Sequence, residues 1–231
     1  MFLSVLDVFK IGIGPSSSHT VGPMVAALRF IKNIHNLTNV TEVERFQISL
    51  HGSLAFTGKG HGSDHAIILG LLGESPETLD PNSTHKIVKK IQKYKSINIS
   101  KTQKICFDPL NDIVFDYEKN FPGHANAMQF SAFGKDKNIL IEKIYYSIGG
   151  GFVVNTDELE NMRNHKEATD DSNVPFPFKK AAEMLAMGKD SGLSILEMKR
   201  ANELISCNPD ALKFSLDKLW TVMNDCINKG M

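Results

Sequence analysis

The chain has 231 residues, 42% hydrophobic and 23% charged, which is enough to bury a full core as one domain with an appendage or as two small domains. Lys plus Arg and Asp plus Glu both number 26, so the formal charge is zero, no basic field points to nucleic acid, and a small molecule is the default partner. The chain shows neither a long apolar run nor a basic, cleavable leader, so a cytoplasmic protein without a membrane partner is expected.

Taken in order, Ser4 followed three residues later by Asp7 resembles a capping box, and Val5, Leu6, Val8 and Phe9 predict a short apolar helix. It leads into Gly12-Ile-Gly-Pro-Ser-Ser-Ser-His-Thr-Val-Gly-Pro23, a poor recipe for packing and a good one for holding a ligand. Val21, Met24, Val25, Leu28 and Ile31 then recur at helical spacing, so the serines sit where a helix begins. Unpaired N–H groups and the positive end of the helix dipole make such a start receptive to a carboxylate or phosphate. A plain N-cap needs a single hydroxyl, whereas Ser16, Ser17, Ser18, His19 and Thr20 together point to binding.

Phe46, Ile48 and Leu50 alternate with Gln47 and Ser49, the period of a half-buried strand, which runs into a second glycine-rich loop from His51 to His65. Ala66 to Gly73 has no polar face and predicts a buried helix; Ile87, Val88, Ile91 and Tyr94 mark an amphipathic surface helix with a solvated lysine face. Strands are predicted at Ile97 and Ile99, Ile105 to Phe107, Ile113 to Tyr117, Met128 to Phe133 and Ile139 to Tyr146, the last two joined by a hairpin loop. The final strand ends at Ser147, before Gly149, Gly150 and Gly151. Beyond a polar stretch, Pro175-Phe-Pro-Phe178 opens three helices, with Ser194 and Glu197 as a capping box and Asn208-Pro209 as a cap. Leu212, Leu216, Leu219, Trp220, Met223, Cys226 and Ile227 form an apolar stripe on the last helix, for which a missing continuation or a partner chain is expected.

Three loops thus embed hydroxyls and imidazoles in glycine: Ser16 to Thr20, Thr57 to Asp64, and Ser147 to Gly151. His124 and Asn126 add a fourth polar pair just before a strand, and converging strand ends would make these one pocket. Sharper readings fail on spacing. Thr57-Gly-Lys-Gly60 is not a Walker loop, and His61 with His65 lacks the glutamate of a zinc protease while Gly60 and Gly62 disfavour a helix there. No Gly-x-Ser-x-Gly elbow supports a serine nucleophile. Lys59 could act as a base if desolvated, and Asp64 could equally cap the buried helix. Cys106, Cys207 and Cys226 are widely spaced with no Cys-x-x-Cys pair, which argues against a disulfide framework or a self-contained metal site.

Gly12 to Pro23, Gly52-Ser-Leu-Ala-Phe-Thr-Gly-Lys-Gly-His61 with Asp64, and Tyr145-Tyr-Ser-Ile-Gly-Gly-Gly-Phe152 together resemble the bacterial iron-sulfur L-serine dehydratase (L-serine ammonia-lyase) family. The resemblance continues through the helical tail, as the front half of the single-chain form. It implies an α/β (α+β) sandwich domain of the allosteric-substrate-binding type over residues 1–155, a linker over 156–174, and an all-helical segment over 175–231 that begins a truncated catalytic domain. It also implies conversion of L-serine to pyruvate and ammonia, a [4Fe-4S] cluster bound by cysteines of the absent catalytic domain with no metal in this chain, and a homo-oligomer such as a dimer.

By the same resemblance His61, Lys59 and His19 are catalytic. Ser16, Ser17, Ser18, Thr20, Thr57, Gly58, Gly60, Asp64, His124, Asn126, Ser147, Gly149 and Gly150 contact the substrate or its surroundings. The chain departs from the family pattern at His51, Ser63 and Ala127, where tyrosine, threonine and glycine are usual. Ala127 bears on the placement of Asn126, because glycine allows backbone conformations that alanine resists. Two other classes are a serine-binding regulatory or sensor module without catalysis, and a metal-dependent hydrolase.

Overall fold

The computed structural model of the chain describes residues 2–36, 40–100, 103–164 and 173–231. They form two units: Gly12–Arg163, and a second that joins Met1–Ile11 to Asn164–Met231. Helix α1 (Val5–Val8) belongs to the second unit. The first opens with a π-helical turn, Ser17–Val21, which passes directly into α2 (Gly22–His35). Strand β1 (Arg45–Gly52) follows, then α3 (Ser53–Thr57), α4 (Ser63–Leu71) and α5 (Thr84–Tyr94). Short strands β2 (Ser96–Asn98) and β3 (Lys104–Cys106) precede α6 (Pro109–Asp112) and β4 (Ile113–Asp116). The long strands β5 (Asn126–Phe133) and β6 (Ile139–Gly149) are followed by β7 (Phe152–Asn155) and α7 (Thr156–Asn164). Of the expected linker, Thr156–Asn164 is therefore helix, and residues 165–172 lie outside the described residues.

The fold is mixed α/β. Among the described residues seven strands join one open sheet in the order β2-β3-β1-β5-β6-β7, with β4 also paired to β1. One edge of β1 is shared in parallel by β3 at its start, Arg45 opposite Cys106, and by β4 at its end, His51 opposite Asp116. Its other edge meets β5 antiparallel, which puts Gly52 opposite Asn126; β5 in turn sets Ala127 opposite Tyr146 of β6. The end of β1, the start of β5 and the end of β6 therefore meet at one end of the sheet.

Alternation in β1 does what the pattern predicts: Phe46, Ile48 and Leu50 are fully buried. Phe30 of α2 packs its ring on Phe46 and Phe130 at 5.5 and 5.2 Å, which lays the helix across the centre of the sheet. Helix α4, apolar all round, is buried along α2. Each fully buried leucine or isoleucine contributes roughly 1.5–3 kcal/mol, so Ile67, Ile68, Leu69 and Leu71 fix α4, and with it the loop before it, firmly in place. The amphipathic helix α5 buries Val88 and Ile91 but leaves Tyr94 exposed.

The second unit contains α8 (Ala181–Ser191), α9 (Ile195–Glu203) and α10 (Pro209–Gly230). Ser194 and Glu197 form the capping box, and Asn208 Oδ1 accepts the Ala211 N–H at 2.8 Å. Two adjacent buried residues at the end of α9 tie distant segments together. Glu203 accepts hydrogen bonds from Ser4 Oγ at 2.5 Å and the Val5 N–H at 2.9 Å, and Asn202 bonds both the N–H and the carbonyl of Phe176. On α10 Leu212 is buried, whereas Leu216, Trp220, Met223 and Ile227 are exposed. Among the described residues no helix is long and apolar enough to cross a membrane.

Candidate active site

The hydroxyl-rich stretch does not simply cap α2. The Val21 and Gly22 N–H groups donate five residues back, to Ser16 and Ser17, which widens the first turn into a π turn, a rare geometry that concentrates at functional sites. Ser16 caps this turn by accepting the His19 N–H at 3.1 Å. The turn carries His19 over the end of β1, where its Nε2 lies 3.1 Å from Ser53 Oγ and its Nδ1 2.8 Å from Ser18 Oγ. A neutral imidazole donates from one nitrogen and accepts at the other, so one of these hydroxyls receives a proton and the other gives one. Burial first, and the neighbouring His61 second, hold the His19 pKa below the ordinary 6.5.

The first two motif loops are stitched reciprocally. Thr20 Oγ1 donates to the His61 carbonyl at 2.9 Å, and Ser63 Oγ donates to the His19 carbonyl. As a result the two imidazole rings stand 5.0 Å apart. His61 Nδ1 lies 2.8 Å from the Thr57 carbonyl, which can only accept. That fixes the Nδ1–H tautomer of the neutral ring and leaves the Nε2 lone pair without a hydrogen-bond partner among the described residues. Lys59 Nζ is 2.5 Å from Asp64 Oδ2, and Asp64 Oδ1 accepts the His65 N–H at the start of α4. With Lys59 two-thirds exposed this pair adds about 1 kcal/mol or less; it orients the loop. Gly58 is buried, while Thr57 and Gly60 are exposed.

The remaining site residues gather beside this cluster. Asn126 is buried at the start of β5 and donates to the Ser147 carbonyl at 3.1 Å; His124 Nδ1 accepts the Asn126 N–H at 3.1 Å. His124 is thereby set with its proton on Nε2. It lines a cavity of about 250 Å³ together with His51, Gly52, Phe121, Gly123 and Ala125. His51 is buried, with its nitrogens 3.1 Å from the Lys119 carbonyl and 2.8 Å from Ser49 Oγ. Its pKa is lowered, chiefly by burial. Gly149, Gly150 and Gly151 all have positive φ and turn β6 back into β7. Ser147 is fully buried and is not among the residues that line this cavity.

The structure thus brings Ser16, Ser18, His19, Thr20 and His61 into one hydrogen-bonded cluster, and His124, Asn126 and the Ser147 backbone into a second. The two meet at Ser53, whose N–H donates to the Ala125 carbonyl at 2.8 Å while its hydroxyl meets His19. Nothing in the residue spacing singles out Ser53. Its only signal is its place in the Gly52–His61 motif.

The serine dehydratase beta chain family matches residues 4–158, a span that includes the whole sheet and every loop just described. The chain belongs to this family. Over all 231 residues it is 38% identical to the L-serine dehydratase of Streptomyces coelicolor, covering 100% of this chain and 50% of that protein. It is 35% identical over 229 residues to L-serine dehydratase 1 of Escherichia coli, covering 99% of this chain and 49% of the relative. With an L-serine dehydratase of Helicobacter pylori the identity is 38% over 228 residues, and the shares are 98% and 48%. The chain spans about half the length of the curated relatives it matches.

Within the serine dehydratase beta chain family the Ala127 departure is harmless to the backbone. Ala127 lies inside β5 between His51 and Tyr146, in register on both sides, and is not among the residues with positive φ. The cysteines offer no cluster ligands: Cys106 and Cys226 are exposed, Cys207 is partly buried, and all three are free. Among the described residues no three His, Cys, Asp or Glu side chains gather as a metal site. This donor set does not fit a four-iron cluster, which requires several thiolates together.

Proposed function

We propose that the chain is the beta part of an L-serine dehydratase, a lyase that converts L-serine to pyruvate and ammonia, and that the His19, His61, His124 and Asn126 end of the sheet is one wall of its substrate site. The observation that carries the reading is the reciprocal stitching of the two motif loops, Thr20 to His61 and Ser63 to His19, which brings two imidazoles to 5.0 Å, tilted at 41°, at the end of the sheet. Structural economy would not ask for it.

In this reading His61 is the general base for the Cα proton, because its ring is held by Thr57 in the tautomer that presents Nε2 as an acceptor. His19, kept neutral and bonded at both nitrogens, orients Ser18 and Ser53. Ser16, Ser17, Ser18 and Thr20 receive the substrate carboxylate at the start of α2. Lys59 supplies positive charge from its pair with Asp64, and Thr57, Gly58 and Gly60 shape the loop that carries it. His124 donates from Nε2, Asn126 holds the Ser147 carbonyl, and Gly149 and Gly150 let the backbone approach. The proposal includes a cytoplasmic homo-oligomer and a [4Fe-4S] cluster bound by cysteines outside this chain; no step is routed through the cluster.

The test is co-expression of this chain with the half of an L-serine dehydratase that it does not span, followed by assay of pyruvate from L-serine. Pyruvate that requires both parts supports the reading. Absence of pyruvate, together with no calorimetric binding of L-serine by the assembled pair, would sink it.

A further inference from the structure

Ser147 lies near the end of the long strand β6 with its side chain fully buried, and its hydroxyl has no hydrogen-bond partner among the described residues. Among the described residues only one other buried side-chain atom, Gln103 Oε1, shares that condition. An unpartnered buried hydroxyl costs stability, and alanine at the same place would not incur the cost. Packing stability therefore does not account for a serine here.

The neighbour of this hydroxyl is the first residue of α2. A Cβ built on Gly22 would run into Ser147 Oγ and stand 2.8 Å from Ser147 Cβ. Gly22 has φ −56 and ψ −53, ordinary helical values in which alanine is favoured over glycine. Glycine is needed at this position because Ser147 approaches so closely, and for no reason of backbone conformation. Gly22 also closes the π turn through its N–H to the Ser17 carbonyl, while the Ser147 carbonyl is held by Asn126.

We propose that Ser147 and Gly22 form a knob and notch that fix how closely the Ser17–Val21 turn lies on the sheet, and so hold the His19 ring between Ser18 and Ser53. Ser147 is then a positioning residue that acts through the turn. The proposal deepens the dehydratase reading and rests on it for the purpose of the site, but the contact can be measured without substrate or turnover.

The experiment moves the knob from one side of the contact to the other in the whole 231-residue chain. Gly22→Ala overfills the notch, Ser147→Gly empties it, and the double variant places one methyl where the serine side chain was. The His19 ring is titrated by NMR in each, its resonance assigned with His19→Gln, and the adjacent His61 ring is followed in the same spectra. Each single change is expected to move the His19 midpoint upward, toward 6.5, as the ring loses its enclosure. The double variant is expected to return it to the parent value.

An unmoved midpoint in Ser147→Gly overturns the proposal, as does a double variant that fails to restore it. If Gly22→Ala does not fold, recovery of folding in the double variant supports the contact and its absence overturns it. Failure of the dehydratase reading would appear differently, as no response of any histidine resonance to L-serine in the assembled pair.

Discussion

His61 and His19 stand side by side but are held in different ways. A carbonyl fixes the proton of His61 on Nδ1, and two hydroxyls bracket His19. His61→Ala in the assembled enzyme should lower turnover at least about a hundredfold, the usual scale for loss of a general base, with a smaller change in KM; near-normal turnover removes it from that role. Charge on His19 and His51 is disfavoured in the fold, mainly by burial. Both pKa values are lowered, so the unfolded chain binds protons that the folded chain does not. Stability is full above the ordinary 6.5 and falls as pH drops from there through the lowered folded values. Urea midpoints measured at pH 7.5 and 5.5 should therefore differ in that direction. His19→Gln and His51→Gln should each flatten the slope, and an unchanged slope in both would contradict the burial argument.

At the scale of elements, α9 fastens the beginning of the chain by one carboxylate. Removing Glu203 leaves the Ser4 hydroxyl and Val5 N–H without their acceptor, a loss of about 1–3 kcal/mol for the unit that holds them. Glu203→Ala should release residues before Ile11 to protease, and Glu203→Gln, which keeps one acceptor oxygen, should do so less; equal cleavage of parent and Glu203→Ala would refute the tie. That tie joins residues 199 apart and has no sequence signature. Elements with a strong local period were legible: β1 from Phe46, Ile48 and Leu50, α4 from its unbroken apolar run, α10 from its stripe. Strand β7 was not, since four residues carry no period and exist as strand because the glycine turn sets Val153 opposite Ser147. The loops that make the site were legible as motifs, His19 and His61 among them. Ser53 lies in a motif too, but its role was not legible, because what gives it meaning is a histidine 34 residues earlier. The π turn was also hidden: the helical period starts only at Val21, and one extra residue before it leaves that period intact.

For the whole molecule, the hydrophobic core closes within Gly12–Arg163, every member falling between Ile13 and Val153, whereas the helical unit leaves Leu216, Trp220, Met223 and Ile227 exposed along α10. A row of this kind usually marks an interaction surface. Relatives twice as long supply a candidate cover, the half that this chain does not span. Trp220 is the sole tryptophan and 64% exposed, so it reports on that cover directly. Mixing the chain with that half should shift its emission to shorter wavelength and protect it from acrylamide quenching; an unchanged spectrum despite assembly would place the contact elsewhere.

The π turn also makes the site sensitive to chain length. Met24, Ala27, Phe30, Ile31 and Ile34 lock the rotation of α2 against the sheet, so the helix cannot turn to absorb an insertion or deletion before it. Deleting Val21 would let the widened turn relax to an ordinary α turn and wind the preceding residues, His19 among them, by about 100°. The imidazole would swing off Ser53 while the fold stayed intact. Such a variant should melt close to the parent yet titrate at His19 like an exposed histidine, a lock whose wards are counted in residues and not in their chemistry.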